Sequence, residues 1–155
     1  MSIRVKLADI IDGLESQSDE SSSFLNKKTG EVVLITDEEL SAAEEDEPVE
    51  DFPDWQQDQV RMAREIVAET GDYIELPTRF DLDEYRIMER FCLSVDDPEM
   101  CETLCGLIRG SGAFRRFKDA VYQHGIESRW NSYRDNALKE IAIEWCRENN
   151  IELDR

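Results

Sequence analysis

The chain has 155 residues, of which 40% are hydrophobic, and its 37 acidic and 18 basic residues give a formal net charge of −19. This length suits a single core, because domains typically contain ~100–150 residues, and the charge disfavours general binding to nucleic acids or anionic membranes. No apolar run approaches the ~18 residues of a membrane span, and the N-terminal residues lack a signal-peptide pattern. We therefore expect one soluble, cytoplasmic domain over residues 1–155.

The first third of the chain predicts a helix followed by a β-hairpin. Apolar residues recur at helical spacing through residues 3–15, and the serine-rich stretch 16–23 is predicted to be a loop. Two apolar runs, 24–25 and 32–35, then flank a turn at 26–30 that contains Gly30. This pattern is typical of a hairpin whose glycine adopts a positive φ.

An acidic tract follows the hairpin. Residues 37–58 contain eleven acids and no Lys or Arg, and Pro48 and Pro53 interrupt any continuous helix. Such blocks are usually solvated. We therefore predict an acidic connector at about residues 37–54, and the sequence leaves open whether it is ordered or flexible.

The remaining pattern predicts one more strand and several helices. A helical face over 55–70 precedes a short alternating segment at 73–76, which could join the hairpin as a third strand. Four helices should follow, beginning near Asp81 with Glu84 as its capping partner, at Asp97-Pro98, after Gly112 and at Glu127. The predicted fold class is α+β, with a small antiparallel sheet packed with a helical C-terminal half.

The thiols and the single histidine carry no recognisable catalytic or metal motif. All four cysteines lie in predicted helices and are most simply buried hydrophobic residues: Cys92, Cys101, Cys105 and Cys146. His124 is the only histidine, so the chain lacks both a set of zinc ligands at established spacing and a Ser-His-Asp arrangement. We expect no metal and no cofactor.

One basic segment stands out against this acidity. Residues 109–118 contain four cations and no acid, and Gly110-Ser111-Gly112 opens a helix whose unpaired N–H groups and positive dipole end favour an anion. The candidate anion-binding or partner-binding residues are Arg109, Ser111, Gly112, Arg115, Arg116 and Lys118. In the alternative interpretation, the glycines only form a tight turn and the cations pair with acids such as Glu102, Asp119 or the acidic tract.

Helical spacing separates inward from outward residues in this segment. Phe114, Phe117 and Val121 are predicted to anchor it in the core, which leaves Arg115 the most outward cation. An aromatic wall beside the turn is a further hypothesis, weighed against ordinary core packing of the same side chains, namely Tyr85, Trp130, Tyr133 and Arg134.

Several strings of residues resemble those of a bacterial group, uncharacterised protein family zero-one-five-eight. They include Leu25–Val32, Leu76-Pro77, the nine residues Gly110–Lys118 with the sequence GSGAFRRFK, and Ala142–Trp145. The likeness covers nearly the whole chain. It implies a single-domain protein and no assigned activity.

These observations favour a non-enzymatic interaction protein. Its acidic surface and its basic turn-helix would each bind a protein partner. Two alternatives remain open: a module that binds a phosphate-bearing ligand or RNA through the basic turn-helix, and an enzyme with an unrecognised site.

Overall fold

The computed structural model describes residues 4–154, which fold into helices and short strands. The strands are β1 (Arg4–Lys6), β2 (Ser21–Asn26), β3 (Val32–Thr36), β4 (Tyr73–Glu75) and β5 (Glu152–Asp154). The helices are α1 (Leu7–Ser16), α2 (Asp37–Glu44), α3 (Asp54–Val67), α4 (Arg79–Leu82), α5 (Glu84–Ser94), α6 (Pro98–Leu107), α7 (Ala113–Gln123) and α8 (Glu127–Glu148), with a 3-10 turn at Val49–Asp51. None of the helices in the described range has the length and hydropathy of a membrane-spanning segment.

The chain forms two compact units, each described here by itself. The first unit contains the chain up to Leu82 together with the segment from Ile141 onward, and the second unit is Asp83–Glu140. The first unit holds the antiparallel sheet and the second is helical. The predicted α+β class is therefore confirmed.

The antiparallel sheet of the first unit has the strand order β3-β2-β4. Both the hairpin and the predicted third strand are present, and β4 pairs with β2 rather than with β3. The Asn26 side-chain oxygen accepts the backbone N–H of Lys28 at 2.9 Å, and Gly30 closes the turn at a φ of 78°. Because these contacts are local, the sequence of the turn was sufficient to predict the hairpin.

Helices cover both faces of this sheet. On one face α1 approaches at Gly13, whose carbonyl accepts a 2.7 Å hydrogen bond from Ser23 Oγ, and a Cβ at Gly13 would lie 2.8 Å from Val32 Cγ1 and 2.9 Å from Leu76 Cδ2. The opposite face forms a core of Phe24 and Ile35 with Ala63 of α3. Glycine at position 13 thus permits the close helix-sheet contact.

The prediction of a helix over 3–15 was wrong at its N-terminal end, because Arg4–Lys6 form β1. This strand pairs in parallel with β5 at the other end of the chain, in the register Arg4 with Glu152. Residue 3 lies outside the described residues. The predicted loop at 16–23 also ends early, since β2 begins at Ser21. Both errors come from long-range strand pairing, which leaves no local periodicity.

The acidic tract contains regular secondary structure. Its first part is α2, which starts with a reciprocal capping box between Thr36 and Glu39, and Glu39 also accepts a 3.1 Å hydrogen bond from Gln56 Nε2. Glu39 and Ala42 are buried, so this helix is anchored. The proline-rich remainder forms the 3-10 turn before α3 begins at Asp54. Helix α2 and the 3-10 turn thus lie within the segment that the sequence predicted to be an acidic connector.

The second unit follows the predicted helical pattern closely. The predicted stripe of α5 is buried throughout, and Asp97 caps α6 by accepting the N–H groups of Glu99 and Met100. The predicted cap at Asp81 was wrong, because Asp83, at a φ of 47°, caps α5 through the N–H of Arg86. Asp81 instead bonds reciprocally with Thr78 at the start of the short helix α4.

Candidate functional site

The turn between α6 and α7 is short and relies on two glycines. Helix α6 ends at Leu107 and α7 begins at Ala113, while Gly110 and Gly112 have φ angles of 79° and 78°. Only glycine adopts this left-handed region without steric cost. A Cβ at Gly112 would also lie 3.0 Å from Arg116 Nη1. The two glycines are therefore required by the backbone of the turn, whatever else they do.

Arg116 closes this turn from the first part of α7. Its Nε donates to the carbonyl of Leu107 at 2.9 Å, its Nη1 to Ser111 at 2.6 Å and its Nη2 to Arg109 at 2.7 Å. One guanidinium thus satisfies three backbone carbonyls and places a positive charge at the C-terminal end of α6, where the helix dipole favours it. Arg116 is committed to holding the turn, and its partners are carbonyls rather than the acids considered from sequence.

Tyr85 of α5 contributes a fourth hydrogen bond to the turn. Its hydroxyl donates to the carbonyl of Ile108 at 2.9 Å. The other members of the hypothetical aromatic wall lie elsewhere. Trp130 packs in the core, with its ring centroid 4.8 Å from Phe117, and Tyr133 packs on Phe91 at 5.4 Å. Arg134 contacts Glu84 at 2.5 Å. Core packing and turn closure account for these side chains.

The remaining predicted site residues are exposed at or just after the turn: Arg109, Ser111, Gly112, Arg115 and Lys118. Among the described residues of the second unit, no salt bridge joins the three cations of this set to a carboxylate. None of the three is therefore paired with Glu102 or Asp119, while pairing with the acidic tract of the first unit stays an alternative.

Two aromatic side chains share the exposed face of α7 with these cations. Phe114 is 40% exposed and Tyr122 is 74% exposed, and Lys118 lies between them at a spacing of four residues in each direction. Residues at this spacing lie on one helix face, and Arg115 borders that face. We call Phe114, Arg115, Lys118 and Tyr122 the α7 stripe.

The inward assignment of Phe114 was wrong. Ala113, Phe117, Ala120 and Val121 fill the buried face of α7, and Phe114 lies at its margin with a large part of its ring in solvent. The exposed position of Tyr122 was not predicted, although its place four residues after Lys118 was a usable signal. The reach of Tyr85 and Arg116 to specific carbonyls had no such signal, because it depends on how the helices pack.

The N-terminus of α7 complements the stripe electrostatically. Its N-cap is Gly112, which provides no side-chain cap, and its first turn contains no acid. The positive end of the helix dipole therefore adds to the field of Arg109 and Arg115. The turn and the stripe together form a locally cationic surface.

Three of the four thiols have a raised pKa, in contrast to reactive cysteines. All are free, and burial raises the pKa of Cys92 to about 12 and that of Cys146 to about 11. Burial also raises the pKa of Cys105, and a hydrogen bond with Cys101 adds to that rise. Cys92, Cys105 and Cys146 thus stay protonated at neutral pH, whereas reactive thiols have a lowered pKa. Within the described range no group of three His, Cys, Asp or Glu side chains is placed to hold a metal ion.

The fold and this surface define an α+β protein in which a closed turn presents exposed cations and aromatic rings on a helix. The chain belongs to the uncharacterised protein family UPF0158, whose model matches residues 1–154. No curated protein and no solved structure matches the chain. The resemblance noted in the sequence is thus confirmed.

Proposed function

We propose that this chain is a cytoplasmic interaction protein whose α7 stripe binds an acidic segment of a partner protein. The observation that carries the proposal is the coincidence of exposed cations and exposed aromatic rings on one helix face, in a chain with a net charge of −19. Acids outnumber bases twofold in the chain, yet no described carboxylate of the second unit forms a salt bridge with Arg115 or Lys118. Carboxylates of a partner protein would form ion pairs with these two cations.

The composition of the stripe supports a protein ligand. Aromatic residues and arginine are enriched at protein interfaces and dominate their binding energy. Burying the exposed parts of the Phe114 and Tyr122 rings against a partner would favour binding. A carboxylate of the partner that lies between the two rings would form an ion pair with Lys118. Interfaces with this chemistry also depend on electrostatic complementarity for their rate of association.

The closed turn supports the same proposal through rigidity. Because Arg116 and Tyr85 fix the carbonyls of the turn, the start of α7 is held before any ligand arrives. Preorganisation reduces the entropy lost on binding. Arg116 would thus contribute to binding by positioning Arg109 and Arg115, without contacting the partner itself.

A second candidate ligand is a phosphate-bearing molecule or RNA, bound through Arg109, Arg115 and the uncapped N-terminus of α7. The absence of an acid and of a side-chain cap in the first turn of α7 favours this candidate. The net charge of −19 opposes it, since long-range repulsion acts on any polyanion. We therefore rank it second.

The test is affinity capture from native cell extract with the tagged full chain and the double variant R115E/K118E. The proposal predicts a stoichiometric partner whose recovery falls about tenfold in this variant, because two attractive contacts become repulsive. The matched control is R129E/K139E, which reverses two exposed cations of α8 in the same unit and changes the net charge equally.

Circular dichroism of both variants should match that of the parent chain. Equal loss of the partner in both variants would contradict the proposal. Retention of the partner in R115E/K118E would contradict it as well. If the parent chain instead binds a single-stranded RNA oligonucleotide with a salt slope that drops by about one unit per removed contact, the second candidate is correct.

A further inference from the structure

A different surface lies in the first unit, along the outer edge of the sheet. Strand β3 pairs with β2 on one side, and among residues 4–154 no strand pairs with its other side. Edge strands present unpaired backbone groups that template the addition of another strand, and proteins usually protect them. Whether β3 is protected can be decided from its register and its neighbours.

The register shows which backbone groups of β3 are open. Asn26 N–H bonds to the carbonyl of Glu31 at 2.8 Å, and Asp37 N–H bonds to that of Glu20 at 2.8 Å. Because bonded residues alternate along an antiparallel pair, odd-numbered residues of β3 face β2, while Val32 and Leu34 direct their N–H and C=O outward. Thr36 ends the open stretch, since its N–H donates to Glu39 Oε1 at 2.9 Å.

A groove runs beside this open edge. It has a volume of about 320 Å³ and lies between one side of α1 and β3. Its walls are Asp9, Asp12, Gly13 and Ser16 of α1 with Ser23 and Glu31–Leu34. Gly13, one of these lining residues, lets α1 approach the sheet closely. Leu34 is 38% exposed and offers an apolar contact at the rim.

The charge of the groove is uniformly negative. Asp9, Asp12 and Glu31 are exposed there, and no Lys or Arg lines it. Asp9 and Asp12 are three residues apart and therefore neighbours on one side of α1. No salt bridge in the described part of the chain engages any of these three carboxylates.

This charge decides which strand the edge can accept. A second copy of β3 would bring the same three carboxylates to the groove, so self-association along this edge is opposed by like charge. A strand with cations on alternate residues would satisfy both the open amides and the carboxylates. Alternate residues of a strand share a face and lie about 6.6–6.8 Å apart, and residues three apart on a helix have Cβ atoms about 5–6 Å apart.

We propose that the groove between α1 and the open edge of β3 binds an extended segment of a partner protein that carries Lys or Arg at alternate positions. The segment adds to the sheet as a strand beside β3. Its main chain bonds to Val32 and Leu34, and its cations face Asp9 and Asp12. This is strand addition with electrostatic selection, a recurrent mode of peptide recognition.

The test uses the full chain labelled with ¹⁵N and a short synthetic peptide in which Lys alternates with Val. Binding should shift the amide resonances of Val32 and Leu34 and slow their hydrogen exchange. A peptide with Glu in place of Lys should not bind. N-methylation of the peptide amides that face β3 should weaken binding about tenfold while leaving its charge unchanged.

The protein variant D9N/D12N should weaken binding about three- to tenfold, as expected for two partly exposed ion pairs. The control E44Q/E45Q removes two exposed acids from the region of α2, which packs on the opposite face of the sheet, and should bind normally. Equal affinity of the N-methylated peptide would overturn strand addition. Identical shifts with spermine alone, without protection of Val32 and Leu34, would also overturn the proposal.

Discussion

The two units of this protein differ sharply in charge and in how they are built. The first unit holds 26 acids and 9 bases, a net charge of −17, whereas the second holds 11 acids and 9 bases, a net charge of −2. The first depends on strand pairing, including a parallel pair between the two ends of the chain, and the second on amphipathic helices. The net charge of −19 therefore belongs mainly to the first unit. A cationic surface on the second unit does not conflict with it.

The largest expected effect on stability is a difference between substitutions on the buried side and on the exposed side of α7. Phe117→Ala should lower the free energy of unfolding by about 3–5 kcal/mol, because this ring is fully buried and packs on Phe91 and Trp130. Tyr122→Ala on the exposed side should change it by less than about 0.5 kcal/mol. Chemical denaturation measures both values. Similar losses for the two variants would show that Tyr122 is part of the core rather than of a binding surface.

Two glycine-to-alanine substitutions, one in each unit, are expected to change stability in opposite directions. Gly13→Ala in the first unit should cost about 1–3 kcal/mol, because the added Cβ meets Val32 and Leu76 below 3.0 Å. Gly106→Ala in α6 should instead stabilise by about 0.4–1 kcal/mol, since nothing lies within 4 Å of its Cβ and alanine suits a helix. Thermal melts of both variants measure the opposite signs. Destabilisation by Gly106→Ala would indicate that α6 packs differently.

A smaller effect is expected at the turn. Arg116→Met should cost about 1–2 kcal/mol, because three carbonyls lose a charged donor that is partly exposed to solvent. The neighbouring variant Arg115→Met makes the same chemical change without breaking a described bond and should be nearly neutral. Urea denaturation of the pair measures the difference. Equal stabilities of the two variants would contradict the role of Arg116 in holding the turn between α6 and α7.

The smallest effect in ordinary buffers comes from the thiols. Burial raises the pKa of Cys92 from 9.0 to about 12 and that of Cys146 from 9.0 to about 11. Their contribution is fully present below pH 9.0 and is lost as the pH rises through these folded values, because only the unfolded chain ionises readily. Cys92→Ala should flatten the loss of stability between about pH 9 and pH 12. An unchanged slope in this variant would contradict the burial of that thiol.

Local sequence signals predicted the second unit better than the first. The α5 stripe and the Asp97-Pro98 cap depend on neighbours within a few residues, so periodicity and capping chemistry revealed them. By contrast, β1 is paired with residues nearly 150 positions away, as Arg4 with Glu152 shows. The order of the acidic tract likewise depends on Glu39 reaching Gln56. Contacts of this kind have no local signature.

The candidate site shows the same limit. Sequence placed the cationic segment correctly as an anomaly, and the structure shows which cations are exposed. Helical spacing ranked Arg115 as the most outward cation, but it could not show which groups the Arg116 guanidinium binds. Only the folded turn shows that the Arg116 guanidinium closes on three carbonyls, while Arg115 forms no salt bridge with a described carboxylate of the second unit.

Photo-crosslinking in living cells tests directly whether the α7 stripe is a binding surface. A photoreactive phenylalanine analogue replaces Tyr122, and the same analogue replaces Arg129 on α8 as the control. We predict one discrete partner adduct from position 122, lost when Lys118→Glu is added, and none from position 129. Absence of an adduct at 122, or equal adducts from both positions, would contradict the account.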